Sequence, residues 1–369
     1  MDLLTHLSIQ GFRSIRDLDD LELGPLNVLI GANGSGKSNF ISFFKMLNWM
    51  TPSLGNLQFY VEKMGGANSL LHDGASVTPQ MKASLVFRTD TGTNEYSFRL
   101  SHAAGDTLIF SDEQFRYTPK DRTGDRNWVR LGAGHREAQI IKKADGDTTA
   151  KFILSLMKQC VVYQFHNTSE TARIRQKWDV NDNRFLKEDG ANLAPFLLRL
   201  RDYKSKYYLR IVETIRLVAP FFADFVLEPV GNAVLLQWRE KNSDLVFGSH
   251  QASDGTLRAM SLIALLLQPE DELPKVIILD EPELGLHPFA IEIISGLLHS
   301  VSMHTQVILA TQSATLIDYF EPHQVIVVDR PNRQSIFTRP DEAALKDWLA
   351  EYSLTELWQK NVIGGRPAR

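Results

Sequence analysis

A glycine-rich octapeptide near the N-terminus has the residue types needed to bind phosphate. Residues 31–38, GANGSGKS, match the pattern G-x-x-x-x-G-K-[ST] and follow the apolar run LNVLI. Glycines let a loop curl until its N–H groups point at phosphate oxygens, and a following helix adds its positive N-terminal end. Lys37 can reach the outer phosphates of a nucleotide, and the Ser38 hydroxyl can ligate Mg²⁺. The predicted nucleotide-binding residues are Asn33, Gly34, Ser35, Gly36, Lys37, Ser38 and Asn39.

A pair of adjacent carboxylates follows a second apolar run. The run VIIL, 276–279, is followed by Asp280 and Glu281. Four consecutive apolar residues predict a buried strand, which favours a functional pair at the strand end over a solvated terminus. Because two buried carboxylates repel each other, the pair itself favours a bound cation. We predict that Asp280 holds Mg²⁺, through water or together with Ser38, and that Glu281 orients or deprotonates the attacking water.

The elements that position these motifs are indicated by hydrophobic periodicity. Apolar runs at 3–10 and 26–30 predict strands, and the segment after the glycine-rich loop predicts a helix to about residue 50. Alternating polar and apolar residues over 77–131 predict antiparallel strands. The last third alternates helices with apolar strands at 276–280, 306–310 and 324–329. Strands of this kind predict a parallel sheet covered on both faces, so the predicted fold class is α/β.

The predicted elements form one composite unit with three parts. These are an N-terminal lobe with the phosphate loop and antiparallel strands (1–148), a mostly helical insertion (149–222) and a C-terminal lobe (223–369). Asp145-Gly146-Asp147 resembles a metal-binding D-x-D, but it follows two lysines rather than a buried strand. We therefore interpret it as a loop.

Composition excludes several classes of protein. A net charge of −4 means that the whole chain is not a polycation, so any contact with nucleic acid requires a local basic patch. The single cysteine, Cys160, rules out an internal disulfide and fits a reducing compartment. No apolar run approaches the roughly 18 to 20 residues that span a bilayer. We expect a soluble, cytoplasmic protein without a membrane partner, in which Cys160 is buried and unreactive.

Six segments, in this order, resemble a known class of ATPase. They are GFRSI (11–15), GANGSGKSN (31–39), ASDGTLR (252–258), LDEPELGLHP (279–288), ATQSATLID (310–318) and YSLTELWQKNVIGGRP (352–367). The sequence is similar to the ATPase heads of the ABC class, in the branch of SMC, RecF and OLD-family proteins. It most resembles stand-alone bacterial AAA_21-type ATPases of anti-phage and abortive-infection operons. The resemblance implies a P-loop NTPase fold with a two-lobed ABC/SMC-like head that uses ATP and Mg²⁺.

The resemblance assigns roles to residues outside the phosphate loop. In such heads the serine and glycine of the signature, here Ser253 and Gly255, cap the ATP held by a partner's loop in a head-to-tail dimer. The alternative is ordinary capping of the helix predicted to begin near Thr256. Gln312 stands at the switch position, which is often histidine in this class. It can hydrogen-bond the γ-phosphate or water but cannot carry charge.

Other assignments stay open at this level. Arg13 either touches nucleotide phosphates, as the resemblance implies, or is a surface arginine. His287 either lies at the dimer interface or begins a helix beside Pro288. The signature reads SDG rather than the transporter form LSGGQ, and the glutamine loop cannot be located, with Gln164 as one candidate.

Two basic stretches are candidates for nucleic-acid contact. Residues 115–143 carry eight Lys/Arg against three Asp/Glu, and 199–210 include Tyr203, Tyr207 and Tyr208. Either stretch can instead be a solvated face, although we favour a DNA contact for 115–143. The resemblance implies an ATPase switch that dimerises or forms higher oligomers on ATP and controls a separately encoded effector in anti-phage defence. The alternative is a RecF- or SMC-like ATPase that acts on DNA in repair or recombination.

Overall fold

Two six-stranded sheets organise the protein. The computed structural model describes residues 2–51, 56–121 and 127–365. The strands are β1 (Leu3–Phe12), β2 (Ile15–Glu22), β3 (Leu26–Ile30), β4 (Gln80–Arg88), β5 (Gly92–Ala103), β6 (Thr107–Pro119), β7 (Val129–Arg130), β8 (Cys160–Tyr163), β9 (Trp178–Asp179), β10 (Phe222–Val226), β11 (Ala233–Val234), β12 (Gln237–Glu240), β13 (Val246–Gly248), β14 (Val276–Asp280), β15 (Gln306–Thr311), β16 (Val325–Asp329) and β17 (Ile336–Thr338). The helices are α1 (Lys37–Trp49), α2 (Leu57–Lys63), α3 (Ala67–Leu70), α4 (Ile140–Lys143), α5 (Thr148–Lys158), α6 (Leu193–Tyr203), α7 (Ser205–Val218), α8 (Asp254–Leu266), α9 (Pro288–Ser302), α10 (Ala314–Ile317), α11 (Glu342–Leu349) and α12 (Leu354–Gln359).

The central sheet carries the motifs. Its order is β17-β16-β3-β15-β14-β8, and the strands from β16 to β8 are parallel. Successive residues of each central strand enter different cores: Ile278 and Ile308 pack on the side of α1 and α5, whereas Ile277 and Val307 pack on the side of α8 and α9. Burial on both faces explains why these strands read as continuous apolar runs. The predicted α/β class is therefore confirmed, and because β17 runs antiparallel to β16 the sheet is mixed.

The antiparallel lobe covers one face of this core. Its order is β2-β1-β4-β5-β6-β7, and β4 alternates buried and exposed positions. The buried face meets α1, where the rings of Phe12 and Phe43 lie 5.8 Å apart. Half-exposed sheets of this kind produce the alternation seen over 77–131, so the predicted antiparallel β lobe is present.

The segment 149–222 is only partly helical, which corrects the sequence-based division. It contains α5, α6 and α7, but β8 also lies within it and pairs with β14 at the edge of the central sheet. The stretch between β8 and α6 is mostly irregular. The predicted helical insertion is therefore interrupted by this edge strand and by the irregular stretch. The Cys160 thiol is fully buried in β8, and burial raises its pKa to about 12.

A buried amide joins the two sheets. Gln306, at the start of β15, accepts from the N–H of Leu4 at 2.9 Å and donates to the carbonyls of Leu4 at 2.9 Å and Gly24 at 2.8 Å. The register of β1 against β4 shifts just beyond Leu4, so the amide contacts backbone next to that irregularity. No helix among the described residues is long and apolar enough to cross a membrane.

Replacing Gln306 with leucine is expected to destabilise the fold. Leucine has a similar volume but removes the Gln306 hydrogen bonds to the Leu4 N–H and to the Leu4 and Gly24 carbonyls. Because the Gly24 carbonyl keeps its bond from Asn27 Nδ2 at 2.7 Å, we expect a cost of about 2 kcal/mol in the free energy of unfolding. Urea denaturation measures the loss. Gln159→Leu is the matched control, because its side-chain amide bonds Ser155 in an exposed position and its loss costs within about 0.5 kcal/mol. Equal stability of the two variants would contradict the role of the Gln306 amide in holding the two sheets together.

Candidate nucleotide-binding site

The glycine-rich loop connects β3 to α1, as the motif requires. Gly36 has a φ of 117°, and a Cβ there would lie 1.9 Å from Ser335 Oγ, so only glycine fits this turn. Lys37 is buried, and its Nζ donates to the carbonyls of Gly31 at 2.7 Å and Ala32 at 3.1 Å. Burial lowers the pKa of Lys37, and nearby carboxylates oppose that shift. The loop thus holds a concentrated positive charge beside an open rim, where Asn33, Gly34 and Ser38 are exposed.

A serine cluster supports the loop from behind. Asn39 Nδ2 donates to Ser14 Oγ at 2.6 Å, and Ser335 Oγ lies 2.7 Å from the same hydroxyl. Ser335 Oγ also lies 2.6 Å from the carbonyl of Ser35. Asn39 and Ser35 therefore maintain the shape of the loop through this cluster. Sequence reasoning missed Ser14 and Ser335, since nothing in their local sequence links them to residue 35.

Asp280 lies at the carboxyl end of β14, next to the end of β8. Gln164 follows β8 and donates from Nε2 to Asp280 Oδ2 at 2.7 Å, while Lys45 on α1 donates to Gln164 Oε1. His166 Nε2 lies 2.7 Å from the Asp280 carbonyl oxygen. Gln164, the candidate for the glutamine loop, is thus brought to the carboxylate predicted to hold metal. Lys45 was missed because only the fold brings it to this edge.

Glu281 is held in an unusual backbone conformation. Its φ is +41°, a value that costs energy in a residue other than glycine and that clusters at functional sites. The Glu281 N–H donates to the carbonyl of Ala310 at 2.8 Å, and Gln312 Nε2 donates to Glu281 Oε1 at 2.8 Å. The two residues predicted to handle water are therefore in direct contact, at the ends of neighbouring parallel strands.

A third carboxylate, Glu283, completes the acidic cluster. It is buried, accepts from Thr311 Oγ1 at 2.5 Å, and leaves Oε2 without a hydrogen-bond partner among the described residues. Burial raises its pKa. The charges of Glu281, Asp280 and Glu283 all act on Lys37, so the loop and the cluster form one site. Glu283 was not predicted, although its place in DEPE, two residues beyond the predicted pair, was a usable signal.

The donor set fits a magnesium nucleotide. Asp280 and the exposed Ser38 offer hard oxygen ligands, the kind Mg²⁺ takes alongside substrate phosphates. Asp280 Oδ2 is engaged by Gln164, whereas no hydrogen bond to Oδ1 occurs within the part of the chain that the structure describes. Gly31 and Gly36 let the loop pass close to Val328 and Ser335, where a Cβ would collide, and the turn encloses the buried Lys37. These residues would hold the metal and the phosphates.

The signature segment, residues 252–258, begins α8 and reaches the site through Arg258, which donates from Nη2 to the carbonyl of His166 at 3.0 Å. Ser253 is exposed and caps the helix, with its Oγ accepting from the N–H of Thr256 at 3.1 Å. Gly255 packs against the loop after β14, where a Cβ would lie 2.4 Å from the Gly285 carbonyl. Buried Arg175 holds the turn by donating to the carbonyl of Ser249 and to Asp254 Oδ1 at 3.1 Å. Capping is thus observed, and the side-chain hydrogen bonds of Ser253 stay within its own turn.

The structure places three other predicted residues away from the loop's hydrogen bonds. Arg13 has a φ of +49° and directs its guanidinium to Met64 Sδ at 3.4 Å, whereas its neighbour Ser14 meets the loop. His287 is the exposed N-cap of α9, and Asp147 caps α5. The helix-start interpretation of His287 and the loop interpretation of 145–147 agree with these positions.

Several side chains of the two basic stretches make contacts within the protein. In 115–143, whose residues 122–126 lie outside the described part of the chain, Arg116 donates to Glu95 at 2.7 Å and stacks over Trp128. In 199–210, Tyr208 is buried and Arg199 pairs with Glu272. Lys142 and Lys143 are exposed. The aromatic residue that stays most exposed among the described residues of these stretches is Tyr203, at 82%.

Comparisons with known proteins agree with this geometry. No curated protein matches the sequence. The chain is similar to a solved SMC head bound to the C-winged helix domain of ScpA, with 13% identity and a TM-score of 0.60 over 93% of this chain and 99% of that one. It is also similar to an SMC head with an extended coiled coil bound to the C-terminal domain of ScpA, derived from Pyrococcus furiosus, with 13% identity and a TM-score of 0.53 over 95% and 99%.

These likenesses show the fold, which is that of P-loop ATPase heads. A family model described as "AAA domain, putative AbiEii toxin, Type IV TA system" matches residues 26–318, well over half of the chain. The match includes the glycine-rich loop, the signature segment, the acidic strand end and Gln312. The chain belongs to the AAA_21 family of P-loop ATPases.

Proposed function

We propose that this protein is a Mg²⁺-dependent ATPase whose heads associate head to tail on ATP. The contact between Gln312 and Glu281, beside Asp280 and a buried loop lysine, carries the proposal. Together these residues provide a loop that can bind phosphate, an oxygen ligand for the metal in Asp280, and a carboxylate in Glu281 that is positioned for water. Bound Mg²⁺ would neutralise phosphate charge, as in other P-loop enzymes.

Each residue then has a defined task. Lys37 contacts the outer phosphates, and Ser38 and Asp280 face the metal. Glu281 accepts a proton from water or orients it, while Gln312 holds one carboxylate oxygen in place and leaves the other for that water. Gln164 keeps Asp280 oriented, and Lys45 in turn keeps the Gln164 amide oriented.

The signature surface supports a role in association. Ser253 and Gly255 line a small cavity with Leu286 and His287. Four exposed apolar side chains either line this cavity or directly adjoin a lining residue in the sequence. These are Leu217, Phe221, Leu284 and Phe289, which are 40% to 56% exposed. An apolar surface around an exposed serine suits a second copy of the chain, whose ATP would complete the contact. Loss of the third phosphate would then release the pair.

A single substitution separates capping from this role. Aspartate is as good an N-cap as serine, so Ser253→Asp keeps α8 intact. Its carboxylate would repel the γ-phosphate across the interface. We expect ATP-driven association to weaken by at least about tenfold, since like charges in an interface cost several kcal/mol. Analytical ultracentrifugation with Mg²⁺-ATP reads out the change, with Ser243→Asp on an exposed loop as the control. If Ser253→Asp associates normally, residues 252–258 cap α8 and have no role in ATP-driven association.

The biological role is proposed on the family description. Its reference to a toxin and a toxin–antitoxin system supports defence against phage, with a separately encoded effector as the partner. A protein partner also has precedent in the SMC heads that bind ScpA. The DNA-repair alternative has less support, because Arg116 and Tyr208 are engaged internally. ATPase activity that DNA stimulates, and that falls with salt, would favour that alternative.

A further inference from the structure

The end of the described chain lies against the phosphate loop. The carbonyl of Gly365 accepts from the Ala32 N–H at 3.0 Å, and the Gly365 N–H donates to Asp329 Oδ2 at 2.8 Å. The next residue after β16, Arg330, donates from Nη1 to the Gly34 carbonyl at 3.1 Å. The loop is therefore fixed from outside at two points, one of which is the C-terminal segment.

The same segment reaches the switch region. Thr355, in the first turn of α12, donates from its N–H to Asp318 Oδ1 at 2.8 Å and from its hydroxyl to the Ala314 carbonyl. Ala314 begins α10, directly after Gln312 and Ser313. Leu357 of α12 is fully buried, so this end is well anchored. Residues 353–365 thus run from the switch to the loop.

Two glycines shape the loop-side end. Gly364 and Gly365 have φ values of +83° and +80°, which residues with a Cβ rarely adopt. A Cβ at Gly365 would also lie 2.8 Å from Val327 Cγ1 and 3.0 Å from Trp358 Nε1. Only glycine allows the backbone to approach both β16 and Ala32.

We propose that residues 353–365, which we call the C-terminal strap, position the phosphate loop for nucleotide and link it to α10 behind Gln312. Fixing Ala32 from outside reduces the freedom that the loop must lose when its other amides take up phosphate, so the loop is preorganised. Gly365 and Asp329 are positioning residues in this view. The inference rests on the proposed ATP binding.

Substitution of Gly365 in the full chain tests the strap. We expect Gly365→Ala to raise the Kd for Mg²⁺-ATP and the KM about tenfold, a factor worth 1.4 kcal/mol. We expect kcat to stay within about threefold, because the carboxylates are untouched. Calorimetry and steady-state kinetics give the values, and thermal unfolding checks the fold. The matched control is Gly105→Ala, which has a φ of +75° but no described atom within 4 Å of a Cβ.

Asp329 and Asp318 test the two ends separately. Asp329→Ala should weaken ATP binding like Gly365→Ala, and Asp329→Asn, which keeps an oxygen acceptor, should recover most of the affinity. Asp318→Ala combined with Thr355→Val removes both bonds from Thr355 to α10, and we expect this double variant to raise the Kd for Mg²⁺-ATP. Unchanged affinity in the folded double variant would overturn the link to α10. Folded Gly365→Ala and Asp329→Ala proteins that bind ATP like the wild type would overturn the strap. A wild-type protein that binds no Mg²⁺-ATP would instead refute the proposed function, and the inference with it.

Discussion

Glu281→Gln is expected to bind Mg²⁺-ATP and to hydrolyse it at least about a hundredfold more slowly than the wild type, given the usual contribution of a positioned base. The amide keeps the shape of the side chain but cannot accept a proton from water. Gln312, now beside a neutral group, loses a charge-assisted contact of 2.8 Å. Lys37 loses the attraction of one carboxylate but keeps those of Asp280 and Glu283, so ATP binding is expected to persist. Phosphate release under single-turnover conditions measures the rate.

The control for Glu281→Gln is Glu292→Gln on α9. Glu292 is exposed, and its side chain makes no hydrogen bond or ion pair within residues 2–51, 56–121 and 127–365. Equal rates for the two variants would show that Glu281 does not act on water. Loss of ATP binding by Glu281→Gln would show instead that its charge organises the loop through Lys37.

Lys37→Ala is expected to weaken Mg²⁺-ATP binding by about a hundredfold or more. Each hydrogen bond from a charged donor is worth about 1.5 to 3 kcal/mol, and Lys37 is the buried cation that the loop encloses. Calorimetric titration measures the affinity. Lys37→Met keeps most of the aliphatic stem, so the same loss in that variant would assign the effect to the charge rather than to packing.

Lys151→Ala is the control for the lysine variants, because Lys151 is exposed on α5, remote in sequence from the loop. Retained micromolar ATP binding by folded Lys37→Ala would refute the assignment of residues 31–38 to phosphate. Thermal unfolding of every variant shows that a lost signal does not reflect a lost fold.

Motifs with a fixed local geometry could be predicted from the sequence. The glycine-rich loop had its strand and helix, and the apolar run before Asp280 proved to be β14 with the expected bounds. Local residue types define such features: glycines where φ is positive, and apolar residues where both faces of a strand are buried. Cys160 is also buried, as its apolar neighbours indicated.

Features that depend on contacts distant in sequence could not be predicted. Lys45 meets Gln164 across 119 positions, and Ser335 meets Ser14 across 321. The strand β8 is four residues long, so its place in the sheet follows from pairing with β14 rather than from its own pattern. The C-terminal strap had appeared only as a family-like tail, and its contact with Ala32 exists solely in the folded chain.

In the proposed function, ATP bound to one head promotes association with a second head through the second head's Ser253. The most direct measurement is the solution mass of Glu281→Gln by light scattering, with Mg²⁺-ATP, with Mg²⁺-ADP and without nucleotide. This variant is chosen because slow hydrolysis preserves the bound ATP. We predict a mass that doubles with ATP alone. A mass that remains that of a monomer, while calorimetry shows that ATP is bound, would contradict ATP-driven association.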